Sequence, residues 1–184
     1  MTNAAPPGAK APNPIDPATF PTPGFSSRRP SFDGMPNGMT PPGATEAFLR
    51  TVDTLARTIY GEARGEPARG KEAVAAVVMN RVGRAQARGG WWWGSSVAEV
   101  CRRPWQFACW NPDDPNRPKI ERADEKDGEF ASCLRIARRA VMGALDDPTR
   151  GATHYHAGSA APPWAAGRAP SAVIGRHRFF NDVE

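Results

Sequence analysis

Ile59-Tyr60-Gly61-Glu62-Ala63-Arg64-Gly65-Glu66-Pro67 sets a carboxylate, Glu62, where an apolar helix gives way to a turn broken by Gly65 and Pro67. Before it, Phe48, Val52, Leu55, Ala56 and Ile59 recur every three or four residues, which predicts a helix from Thr45 to about Ala63. After it, Ala73, Val74, Val77, Val78 and Val82 predict a second helix from Ala68 to about Ala85, apolar enough to be central in a core. A glutamate at the mouth of a cleft between two helices loses hydration. Desolvation raises its pKa toward the value a general acid needs.

Working outward, Gly89, Gly90 and Gly94 around Trp91-Trp92-Trp93 predict a loop that presents flat aromatic side chains. Ser96 with Glu99 reads as a capping box that starts a short helix. The aromatic-rich segment from Pro104 to Pro112 is expected to be an ordered loop. A long helix is predicted from about Glu125 to Leu145, with Phe130, Cys133, Leu134, Ala137, Val141 and Leu145 on one side and Asp147-Pro148 as its stop. Two extended segments, Ala152–His156 and Ala172–Phe180, flank a loop around Trp164 and are expected to pair as an antiparallel hairpin. The fold class is α+β: a mostly helical domain over residues 45–184 with a small antiparallel sheet.

The 184 residues, 40% hydrophobic, suffice for one compact domain and a tail. About half of the 20 prolines fall in residues 1–44, which hold almost no large aliphatic side chains and read as a Pro-rich disordered arm. The sequence contains neither a secretory signal nor a run of about 18 apolar residues, so synthesis in the cytoplasm and no membrane insertion are expected. The net charge of +5 comes mostly from scattered arginines, a surface suited to an anionic polymer. Nucleic acid is not expected as a partner, since no binding motif or basic stripe with interleaved aromatics occurs. Three cysteines are too few for a disulfide framework and no Cys-x-x-Cys pair suggests zinc; Cys101 and Cys109 bracket a short loop and would pair only in an oxidising compartment, and buried thiols acting as small apolar residues are the expectation.

Five segments in order carry a resemblance: Tyr60-Gly-Glu-Ala-Arg-Gly-Glu-Pro67; the Ala73–Val82 helix ending Met-Asn-Arg-Val; Pro104-Trp-Gln-Phe107; Asp147-Pro-Thr149 with Gly151-Ala-Thr-His-Tyr-His156; and Ile174-Gly-Arg-His177 with Phe179-Phe180. Over roughly residues 52 to 181 the chain resembles the SleB-type cell-wall hydrolases, whose namesakes are spore cortex-lytic enzymes. The resemblance implies a lysozyme-like fold related to lytic transglycosylases, action on peptidoglycan glycan strands, a catalytic acid at Glu62, and no cofactor or metal. The Pro-rich arm stands where the spore enzymes have a secretion signal and a wall-binding module. That arrangement looks more like a phage, prophage or phage-derived particle enzyme acting in the periplasm or cell wall, with the arm contacting particle components.

One carboxylate suffices for a transglycosylase, in which the muramic acid C6 hydroxyl attacks the anomeric carbon; a hydrolase needs a second one. Glu66 is expected to cap the next helix or orient the turn, and Asp113 and Asp114 to be solvated. Gln106 and Tyr155, in segments marked by the resemblance, are expected beside Glu62, binding sugar substituents. Trp110, Trp164 and Trp91–Trp93 are candidates for stacking on sugar faces or for packing. His154 and His156 alternate with Tyr155 and, with His177, have a spacing that a zinc amidase would use; hydrogen-bonding or packing roles near substrate are the expectation for His154 and His177. A non-catalytic wall-binding particle protein is the third class.

Overall fold

The computed structural model describes residues 42–158, 160 and 162–183, so the arm expected over residues 1–44 lies almost wholly outside the described residues. The first helix, α1 (Pro42–Ala63), already begins within that span. It buries Val52, Leu55, Ala56 and Ile59 of the stripe expected from the spacing, with Phe48 only partly buried, and it buries Tyr60 as well. Helix α2 (Ala68–Ala87) is buried continuously from Ala73 to Val78 and packs against both α1 and α5 (Gly128–Val141), which also pack directly on each other. The short α3 (Val97–Arg102) starts at the expected capping box, with Ser96 accepting from the Glu99 N–H. A further short helix, α4 (Arg117–Arg122), has no periodic signature; Ile120 is its buried residue.

Helix α5 is shorter at both ends than its apolar pattern predicts. Asp127 caps it by accepting from the Glu129 and Phe130 N–H groups, so the helix starts at Gly128. It ends at Gly143, whose φ of +69° lets the Gly143 and Ala144 N–H groups turn back onto the Ala140 and Arg139 carbonyls. Asp147-Pro148 is therefore not the stop. Asp147 instead organises the next loop, accepting from Thr149 N–H and hydroxyl and from Gly151 N–H. The Tyr60 hydroxyl donates to Asp127 at 2.5 Å, tying α1 to the α5 cap; burial, with that bond, pushes the phenol up to about 12.

The second extended segment is two strands. β2 (Ala172–Ile174) and β3 (His177–Phe180) form a hairpin, and β1 (His154–Ala157) pairs antiparallel with β3 on its other side, giving the order β1-β3-β2. Alternation over Ala172–Phe180 hides the break, which falls on Gly175-Arg176. Gly175 has φ +58° at the first position of a two-residue turn. A Cβ there would lie 1.8 Å from Glu66 Oε2, so only glycine admits the carboxylate.

Glu66 thus reaches from the α1–α2 turn into the hairpin. Its side chain is 1% exposed and accepts from Arg176 N–H at 3.1 Å and from Arg176 Nε at 2.6 Å. It orients a turn, as expected, but caps no helix: α2 has Pro67 at its N-cap with no side-chain bond. Burial raises the Glu66 pKa, and the bonds from Arg176 outweigh it, leaving the group below its ordinary 4.5. A depressed carboxylate contributes stability fully above its unfolded value and loses it as pH falls through the folded one. Thermal melts should therefore show the wild type losing stability from about pH 4.5 downward. Glu66→Gln should melt lower at pH 7 and lose less on acidification; an equal acid sensitivity would remove Glu66 as the cause.

Candidate active site

Glu62 sits on the last turn of α1, half-buried, facing two other segments. Its Oε2 accepts from the Tyr155 hydroxyl at 2.8 Å, and its Oε1 from the Cys109 backbone N–H at 3.2 Å. Each carboxylate oxygen keeps a lone pair for a further partner. Tyr155 is fully buried on β1, and burial followed by the Glu62 charge holds its phenol well above the usual tyrosine value, so it stays a donor. Cys109 belongs to a 3-10 turn (Ala108–Trp110) inside the aromatic segment. Helix end, turn and strand thus meet at one carboxylate.

Close approach of the turn requires Gly61. A Cβ there would lie 2.5 Å from Cys109 Cβ and 2.7 Å from Ile120 Cδ1. Trp110, in the same turn, is half-buried; its indole N–H donates to Thr58 Oγ1 at 3.0 Å and the Arg102 guanidinium lies 4.6 Å from its ring centre. Cys101, Cys109 and Cys133 are buried free thiols, packing as small apolar residues, and Cys101 and Cys109 are not bridged. Burial pushes the Cys101 thiol up to about 12 and Cys109 higher still.

Gln106 is buried and its Oε1 accepts from Arg81 Nη1 at 2.7 Å. Arg81 is the residue whose importance the sequence reading passed over. It is 1% exposed, also donates from Nε to Thr153 O at 2.7 Å, and lies over the rings of Trp93 and Phe107. It binds α2 to the 104–107 turn and to the start of β1, next to Tyr155. The signal available was a charged residue, Arg81, set between Val78 and Val82 on a helix with a long buried run. Trp105, ahead of Gln106, is exposed and holds a φ of +67°, which turns Gln106 and Phe107 inward.

Strand alternation divides the histidines. Tyr155 lies opposite Phe179, and His177 shares their face, its ring edge-on to Tyr155 at 5.1 Å. His154 and His156 point to the other face, with Phe180 and Trp164. His154 also contacts Trp93 and shares a 3.0 Å hydrogen bond with Thr153 Oγ1. The three imidazoles therefore do not converge on one ion. His177 Nδ1 is buried with no hydrogen-bond partner, and burial lowers its pKa. Of the Trp91–Trp93 run, Trp93 is fully buried, its N–H on Arg81 O at 3.0 Å, while Trp91 and Trp92 are exposed. Among the candidates, then, Tyr155 is brought onto Glu62, Trp110 and His177 lie one contact away, and Gln106 and His154 serve other neighbours.

A family model described as Cell Wall Hydrolase matches residues 65–180, and the chain belongs to that family. The spore cortex-lytic enzyme of Halalkalibacterium halodurans is 33% identical over 134 residues, covering 71% of this chain and 34% of that protein. The Bacillus subtilis spore cortex-lytic enzyme is 33% identical over 132 residues, covering 70% and 36%. The chain spans about a third of the length of these curated relatives. The crystal structure of the catalytic domain of Bacillus cereus SleB superposes with a TM-score of 0.52 at 27% identity, covering 78% of this chain and 93% of that one. The helical, lysozyme-like α+β fold expected from the sequence is the fold observed.

Gly61→Ala should cost about 1–3 kcal/mol by overpacking against Cys109 and Ile120. Denaturant melts would read the loss, and an unchanged midpoint would mean that the 3-10 turn does not pack on α1.

Proposed function

We propose that this domain cuts peptidoglycan glycan strands as a lytic transglycosylase, with Glu62 as acid and then base. The observation that carries the reading is the way Glu62 is held. Tyr155 and Cys109 each engage one carboxylate oxygen, while the other carboxylate of the turn, Glu66, is committed to Arg176. A protonated Glu62 gives its proton to the glycosidic oxygen and the bond from that oxygen to the anomeric carbon breaks. The muramic acid C6 hydroxyl then bonds to the anomeric carbon and returns its proton to the carboxylate. No water enters, and the product ends in a 1,6-anhydro ring. Membership of the cell wall hydrolase family and the likeness to spore cortex-lytic enzymes support the substrate class.

Hydrolysis is the second reading, and Asp114 is what favours it. Asp114 is half-buried in the loop that follows the Cys109 turn, whose backbone touches Glu62, whereas Asp113 is exposed. Mass spectrometry of digested sacculi separates the two. Wild type should release 1,6-anhydromuramic ends, and Glu62→Gln should lose about 10²-fold or more of that activity. Reducing ends, lost in Asp114→Asn, would reassign the reaction to water. Full activity in Glu62→Gln would remove Glu62 as the acid, and release of neither kind of end by the wild type would leave a wall-binding protein.

We further propose that the Pro-rich arm tethers the enzyme in a phage or phage-derived particle, on the strength of its composition. Deleting residues 1–41 should leave sacculus digestion intact and remove the protein from purified particles; retention in the particles would overturn the tether.

A further inference from the structure

A cavity of ≈ 280 Å³ opens on the face of the sheet that points away from Glu62. Small apolar groups such as Pro162 and Ala165 wall it together with the Phe180 ring, and Arg168, Arg178 and His156 supply its polar groups. Arg168 is fixed in place: its Nε donates to Trp164 O at 2.9 Å and its guanidinium pairs with Asp182 at 3.4 Å. His156 is fixed too, with Nδ1 donating to Ala157 O at 2.7 Å. Among the described residues no hydrogen bond or ion pair engages the guanidinium of Arg178, whose backbone lies in the β3 ladder. The local field is positive. His154, on the same sheet face, is drawn down to about 3 by burial and then by Arg81, Arg84 and Arg168.

A cationic fork over a pocket walled by alanine- and proline-sized groups selects a carboxylate attached to a small apolar residue. A phosphate would gain nothing from the apolar walls. We propose that this cavity binds the C-terminal carboxylate of a short peptide ending in alanine, with Arg178 as the free guanidinium that receives it. The further step, that this peptide is the stem carried by the glycan strand, rests on the glycan-strand reading above. β1 is an edge strand, with Tyr155 on one face toward Glu62 and His156 on the other toward the cavity. A stem of about five extended residues spans about 17 Å, enough to pass from one face to the other around that edge.

The full-length Glu62→Gln protein is titrated with the pentapeptide Ala-γ-Glu-Lys-D-Ala-D-Ala and with its C-terminal amide, by calorimetry and tryptophan fluorescence. Trp164 reports directly, because its ring contacts His156 and Phe180 at 5.7 and 5.4 Å. The free acid should bind and the amide should bind at least about ten-fold more weakly, the loss of one charge-assisted pair. Adding Arg178→Ala should weaken the acid to a similar degree, and Ala165→Trp, which fills the cavity, should do so without removing a charge. Equal binding of acid and amide, indifference to both substitutions, or displacement by inorganic phosphate at equal concentration would each overturn the site. Peptide-stripped glycan strands are assayed separately with wild type. Their survival would refute strand cleavage and leave the peptide titration to decide this site on its own.

Discussion

Two carboxylates four residues apart fasten the sheet to the helices. Glu62 reaches β1 through the Tyr155 hydroxyl, and Glu66 reaches the β2–β3 turn through the Arg176 N–H and guanidinium. Both project from the junction of α1 and α2. A carboxylate as buried as Glu66 is destabilising unless its charge is met, so the hairpin turn has one acceptable position relative to the helices. With the turn fixed, β3 is fixed, and with it the register that sets Tyr155 opposite Phe179. The position of the donor on Glu62 therefore depends on an ion pair at the far end of the same turn.

Arg81 provides the opposing brace. Its guanidinium spans α2, the Gln106 side chain and the Thr153 carbonyl, so the aromatic turn and the start of β1 are held from the side away from Glu66. A buried arginine is tolerable because its donors meet oxygen acceptors and its faces meet Trp93 and Phe107. Gly61 completes the arrangement by letting the turn lie against α1 closely enough for the Cys109 N–H to reach Glu62. The geometry around Glu62 is thus made by one glycine, one buried arginine and one ion pair, none of which touches the substrate in the proposed reaction.

The helices were legible because burial repeats with their period. α1 and α2 lie close to where the apolar spacing puts them, and the α3 capping box is a local signal that tertiary context left alone. The helix α5 ends were misjudged because two backbone signals, the Asp127 cap and the left-handed Gly143, override an apolar pattern that runs on past them. The split of Ala172–Phe180 was hidden because the turn is only two residues long and its cause, the Glu66 carboxylate, lies over a hundred positions earlier in the chain. That Tyr155 lies beside Glu62 was legible from a helix end and an ordered motif. The partnership of Gln106 with Arg81 was not, because both residue types read equally well as surface or site until packing assigns them.

The sequence His154-Tyr155-His156 shows how far a period of two can carry function. Because alternate side chains leave a strand on opposite faces, the tyrosine that donates to Glu62 must send both neighbouring histidines away from it. A zinc site built from His154, His156 and His177 is then ruled out by geometry, since His177 shares the Tyr155 face. The same constraint brings His156 to Phe180 and Trp164, where it lines the arginine-rimmed cavity. One strand of four residues separates the face proposed to break the glycosidic bond from the face proposed to hold the peptide, and a one-residue slip in its register would exchange the two.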